Sequence, residues 1–228
     1  MIANQTPAAR RKSPKRKAVI RAATEEFLQG GFSGTSMDRI ADVAQVSKRT
    51  VYNHFPSKDD LFQAIIEELL QRTDEMPFHG YSKDEPLEDQ LERIGVTFAE
   101  TITGEDFMKL CRVVVSRFIQ APEWAGVTLT AYAKLRVNLR SWLKACEDDG
   151  RLQIPDFDRA ETQFCGLIKE FVFWPELMAG QEPASSSERN TVVKSAVDVF
   201  LTYYGAPTDV STSASSDERV SLAAQEGS

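Results

Sequence analysis

The run Lys48-Arg49-Thr50-Val51-Tyr52-Asn53-His54 gathers six polar groups around a single valine. Lys48 and Arg49 can donate to guanine edges or to phosphates. Thr50 can bond a phosphate or touch a thymine methyl, and Tyr52 and His54 suit backbone contacts because phenol and imidazole donors reach phosphate oxygens. Ser47 and Asn53 complete the set. Thr35 and Ser36 stand before a second polar segment, at a helix N-terminus where free amides and the helix dipole attract an anion, and Lys58 stands in the same way before a third. This is the chemistry of a reader of DNA.

Such groups reach a groove only if short helices present them. Ser36 is placed to cap a helix over 37–44 whose Met37, Ile40, Ala41 and Ala44 fall on one face. Gln45 and Val46 make a brief turn, and Ser47 caps a helix over 48–54 that Pro56 stops. Val46, Val51 and Phe55 would hold that helix to the core while Lys48, Arg49, Thr50, Tyr52 and Asn53 face outward. Two short helices about a tight turn, the second rich in polar and basic groups, is the arrangement that enters a major groove. Ahead of them, Ser13-Pro14 opens a helix with Val19, Ile20, Ala23 and Phe27 on one face, ended by Gly30-Gly31. Behind them, Ser57 and Asp60 resemble a capping box that opens a fourth helix through Leu61, Ile65, Leu69 and Leu70.

Charge follows the same division. Residues 1–58 hold eleven Lys/Arg against four Asp/Glu, whereas residues 59–228 hold sixteen against thirty, within a net charge of −7. A basic head on an acidic body places a polyanion at the head. The arm Arg10-Arg11-Lys12 and the cluster Lys15-Arg16-Lys17 could follow the DNA backbone or enter the minor groove, or serve only to solubilise. Cations at 15–17 oppose the helix dipole, which a folding rationale would avoid and an anionic partner would justify.

The run Phe32-Ser33-Gly34-Thr35-Ser36 through Ile40-Ala41, with Val46-Ser47, Thr50-Val51-Tyr52-Asn53-His54-Phe55 and Lys58-Asp59-Asp60-Leu61, resembles the tetracycline-repressor (TetR) family over about residues 15–65. The resemblance implies a homodimer whose two recognition helices enter successive major grooves of a palindromic operator, and release from DNA when an effector binds the C-terminal part. By the family's pattern Thr35, Lys48, Thr50, Tyr52, His54 and Lys58 touch DNA. Gln45 departs from that pattern, which has Gly in the turn; a non-Gly residue at positive φ costs about 1 kcal/mol.

The remainder reads as helix over about 88–103, 105–120, 122–149, 157–180 and 187–204, after a loop at 74–88. The fold class is all-α: a disordered arm over 1–12, a helix-turn-helix domain over 13–57, a helical regulatory and dimerisation domain over 58–205, and a disordered tail over 206–228. A largely apolar effector pocket is expected among 105–120, 122–149 and 157–180, lined by Phe107, Phe118, Trp124, Tyr132, Trp142 and Trp174, with Arg112, Arg117, Arg136 and Cys165 as polar members. Taken singly these aromatics read as core or interface far more readily than as a ligand cage. The dimer is expected through the last two helices, by Phe164, Leu167, Ile168, Phe171, Val193, Val197, Phe200 and Tyr204, as a four-helix bundle; the alternative is that they only complete the protomer core.

An enzyme finds little support: two histidines in all (His54 and His79), no GxSxG, no Gly-rich phosphate loop, no zinc spacing. No cofactor or metal is called for, and Cys111, Cys146 and Cys165 read as reduced, buried thiols, with a redox switch as the alternative. With no membrane span and no secretory signal, a cytoplasmic location is expected. The expected partners are double-stranded operator DNA, a small-molecule effector and a second copy of the chain. The competing reading is a helical ligand-binding or adaptor protein that never reads DNA.

Overall fold

Serines open the first four helices, each by accepting a hydrogen bond from a main-chain N–H of the first turn that would otherwise lack a partner. The computed structural model describes residues 13–77, 79–121 and 139–206. Helix α1 (Pro14–Gly34) starts on Ser13, α2 (Met37–Val43) on Ser36, α3 (Lys48–His54) on Ser47 and α4 (Lys58–Asp74) on Ser57. Gly31 interrupts α1 with φ 70°, a conformation cheap for glycine alone, so the chain kinks where the paired glycines announced an end. Gln45 takes φ 53° in the turn between α2 and α3, the one non-glycine residue at positive φ among the described residues. Ser57 serves as cap but completes no box: its hydroxyl bonds the Asp60 carboxylate at 2.6 Å while accepting from the Asp60 amide at 3.1 Å.

The body continues with α5 (Leu87–Ile102), α6 (Glu105–Gln120), α7 (Arg140–Asp148), α8 (Phe157–Val172), α9 (Trp174–Ala179) and α10 (Ser186–Tyr204). A single helix over 157–180 is not what forms. It breaks at Phe173 because Pro175 has no N–H for the Phe171 carbonyl and its ring would strike that carbonyl. The start of the expected 122–149 helix, the arm over 1–12 and nearly all of the tail lie outside the described residues. Among the described residues there is no strand, only one isolated antiparallel bridge between Leu152 and Gly205. No described helix is long and apolar enough to cross a membrane.

One apolar cluster runs through head and body. Helix α4 joins them, burying Leu61, Phe62, Ile65 and Leu69 and packing against both α1 and α6. In the body α5 lies against α10 and α8, and Gly95 makes that approach possible. A Cβ built there would stand 2.6 Å from Val193 Cγ1 and 3.3 Å from Phe164 Cζ. Gly95→Val is therefore expected to destabilise the protein by about 1–3 kcal/mol through overpacking. Urea unfolding measures it; an unchanged midpoint would mean the helices separate freely there.

Candidate nucleic-acid interface

Helix α3 buries one stripe and offers the rest. Val51 and Phe55 are fully enclosed, while Tyr52 is 49% exposed and Ser47, Lys48, Arg49 and Asn53 face solvent. Thr50 and His54 are half-buried. The Ser47 hydroxyl accepts from the Thr50 amide at 3.1 Å and lies 2.8 Å from its hydroxyl, fixing the first turn. Val46 donates to the Ala41 carbonyl at 3.1 Å across the Gln45 turn, which sets the angle between the two helices. Ser36 is exposed and caps α2 by accepting from the Arg39 amide at 3.2 Å. The base-reading and phosphate-reading groups expected on α3 thus share one exposed surface. Lys48 is there paired with Asp38 of α2 at 2.6 Å, a bond that holds its ammonium above the usual lysine range.

Three expected anion contacts have partners within the chain. Thr35 is buried, and its hydroxyl donates to the Glu26 carbonyl at 3.0 Å and the Gly31 carbonyl at 2.9 Å. Lys58 donates to the carbonyls of Phe32 at 2.7 Å and Thr35 at 2.8 Å, with its ammonium 4.8 Å from the Phe32 ring centre. Both residues hold the segment between α1 and α2, so their side chains position the reading unit. Arg16 corrects the argument from the helix dipole: it lies over the Phe55 ring at 5.1 Å and pairs with Glu67 at 3.7 Å, a folding rationale for one of the three cations. Lys15 and Lys17 remain exposed. Arg39, which the sequence did not single out, ties α2 to α1 by an ion pair with the buried Glu26. Its signal was weak, since an Arg thirteen residues from a Glu matches no helical spacing.

Among the described residues, the expected effector residues are spread between the core and the surface. Phe107, Trp142 and Cys165 are enclosed in the core, with the Trp142 indole N–H donating to Gln90 Oε1 at 3.1 Å. Phe118 and Trp174 are half-buried, and Trp124, Tyr132 and Arg136 lie outside the described residues. Arg112 donates to the Glu176 carbonyl at 3.2 Å and sits 3.8 Å from its carboxylate, whose pKa burial pushes up against the pull of Arg112. Arg117 turns toward the head, not toward this group.

The face expected to meet a second copy is also reversed. Phe164, Ile168, Val193, Val197, Phe200 and Tyr204 are at most 3% exposed within the single chain, because α8 and α10 turn these residues onto α5 and each other. Of the expected contacts only Phe171, at 64% exposure, and the half-buried Leu167 lie on the outer side. There they border a groove of about 570 Å³ with Gly166, Val199 and Tyr203. Gln163 and Glu170 of α8 also line it, and the two apolar residues set among them left periodicity unable to tell which side is inside.

All three cysteines are buried, and burial pushes the Cys146 thiol up to about 12 and the Cys111 thiol up as well. A thiol that stays protonated is a poor nucleophile. Alkylation at pH 8 is expected to modify none of them in the folded chain and all three in urea; rapid labelling of any one in the native protein would revive the redox alternative.

Comparison with known proteins agrees with this geometry. Residues 19–65 match the family model described as bacterial regulatory proteins, tetR family, and residues 89–206 match that of the AefR-like transcriptional repressor C-terminal domain. A crystal structure of a TetR family transcriptional regulator from Pseudomonas syringae pv. tomato str. DC3000 is 38% identical, with a TM-score of 0.76 over 86% of this chain and 100% of that one. The HTH-type transcriptional regulator RutR of Escherichia coli (strain K12) is 43% identical over 58 residues, 25% of this chain and 27% of its own length. YhgD of Bacillus subtilis (strain 168), also an HTH-type transcriptional regulator, is 38% identical over 74 residues, 28% of this chain and 39% of its own length. The chain therefore spans well under half the length of these two curated relatives.

Proposed function

Because the chain belongs to the TetR family of bacterial transcriptional regulators, we propose that it is a homodimeric repressor that binds a palindromic operator and leaves it when a small, largely apolar effector occupies the helical body. The observation that carries this reading is α3: a helix fixed by Val51 and Phe55 underneath, with Lys48, Arg49, Tyr52 and Asn53 displayed together on a head of net positive charge. Its width suits the major groove, where each base pair shows a distinct donor and acceptor pattern.

The second copy docks on the outer strip of α8 and α10. Exposed apolar clusters on a soluble protein mark interaction sites, and a face made of two adjacent helices pairs with itself as a four-helix bundle about a two-fold axis. That symmetry carries over to the DNA, since two related heads read two related half-sites.

Selection from a random DNA pool tests the proposal. Enrichment of a palindrome, with half-site centres about one helical turn or a multiple of it apart, is the expected result. A pool that drifts without enrichment, while the chain remains folded, would leave the adaptor reading in its place.

A further inference from the structure

We infer that Arg117, a residue of the body, is a positioning residue for the DNA-reading unit; the inference rests on the DNA-binding function proposed above. Arg117 lies near the end of α6, and its side chain is only 15% exposed. Among the described residues, the guanidinium bonds none of the last carbonyls of its own helix, and little of it meets solvent. It lies over the ring of Phe32, 4.0 Å from the centre, and 3.8 Å from the Asp59 carboxylate in the first turn of α4.

Phe32 belongs to the segment that launches α2. It follows the Gly31 kink, its carbonyl accepts from Lys58, and its ring packs against Phe27 at 5.2 Å and Phe62 at 6.0 Å. Lys58 also holds the Thr35 carbonyl, and the next residue, Ser36, caps α2. Two cations, one from the head and one from the body, therefore share a single aromatic ring, and the body's cation lies closer. A planar guanidinium stacks on an aromatic face in a way that an ammonium does not. The Asp59 carboxylate is 57% exposed, so its ion pair contributes little and the stacking carries most of the contact.

Packing alone does not account for the arrangement. The Arg117 Nε is buried without a hydrogen-bond partner, a cost that a leucine at this position would not incur. What the arginine provides is a directional tie between α6 and the last turn of α1, just ahead of α2, through which the orientation of α3 is set relative to the body.

The test compares the wild-type chain with Arg117→Ala, Arg117→Lys, Phe32→Leu and the Arg117→Ala/Phe32→Leu double variant. Affinity for the selected palindrome is read across a salt series, and thermal unfolding is read in parallel. Arg117→Ala is expected to lose on the order of 10-fold in affinity, in the range of coupling between contacting residues. Its midpoint should stay near wild type and its salt slope should not change. Arg117→Lys is expected to recover little of the loss, and the double variant to lose less than the two single variants combined.

A slope flattened by about 0.9 would make Arg117 a direct phosphate contact and overturn the proposal. Unchanged affinity, full rescue by lysine, strict additivity, or a loss that tracks a fall in stability would overturn it as well. A wild-type chain that enriches no sequence removes the DNA-binding premise and this role with it, which separates that failure from a failure of Arg117 alone.

Discussion

Arg49→Ala together with Tyr52→Ala is expected to abolish selective operator binding while leaving the fold intact. Both side chains are exposed on α3 and neither belongs to the apolar cluster, which takes Val51 and Phe55 from the same helix. A good base contact from Arg49 is worth roughly 1–3 kcal/mol and a hydrogen bond from Tyr52 to a charged phosphate about 1.5–3 kcal/mol. The pair should therefore lower affinity for the selected palindrome by about 100-fold or more. The single variants should differ in kind. Tyr52→Ala removes an exposed phenol suited to a phosphate oxygen and should weaken binding to all sequences about equally. Arg49→Ala, and likewise Lys48→Ala, relaxes discrimination at one or two bases. Lys58→Ala belongs to another class, because its ammonium holds the Phe32 and Thr35 carbonyls and its loss should loosen the segment ahead of α2. Fluorescence anisotropy on the selected site and on single-base variants separates these cases. If every substitution altered all sites alike, base reading would have to be assigned to other residues.

Phe171→Glu on α8 should separate the dimer, and the same is expected of Tyr203→Glu on α10. These side chains are 64% and 71% exposed in the single chain and border one groove with Leu167 and Val199. In a two-fold interface each substitution acts twice, placing two carboxylates in a desolvated apolar centre, a cost that only separation relieves. Because both side chains are largely exposed in the protomer, with Tyr203 touching the core only through the Tyr204 ring, the monomer should stay folded. Two linked heads bind a palindrome with an effective local concentration that two free heads lack, so affinity should fall by roughly 100-fold or more. Sedimentation at micromolar concentration gives the answer. A dimer that survives both substitutions would place the interface elsewhere; an unfolded chain would mean the outer strip is core.

The head was legible because its signals are local. Ser36, Ser47 and Ser57 mark helix starts, Pro56 marks a stop, and α3 begins and ends where those residues put it. Gln45 was recognisable as a strained position only through the family resemblance, whose pattern has glycine there, and it takes φ 53°. The partners of long polar side chains were not legible. Lys58 spans 26 residues to reach Phe32 and Arg117 reaches Asp59 and Phe32 from the body, so only the assembled fold identifies their roles. The direction of α8 was hidden for a different reason: Phe164 and Ile168 on one side and Leu167 and Phe171 on the other give it two apolar stripes. The break at Phe173 was available in the sequence through Pro175, and the continuous apolar run from Phe171 to Trp174 obscured it.

The most direct test of the central claim, that α3 reads DNA sequence from a dimer, is binding of the wild-type chain to its selected palindrome and to a scrambled duplex across a salt series. The expected result is a steep linear fall of log affinity with log salt, about 0.9 for each phosphate neutralised. At physiological salt the palindrome should be preferred by about 1,000-fold or more. Equal affinity for the two duplexes, whatever its salt dependence, would contradict the claim.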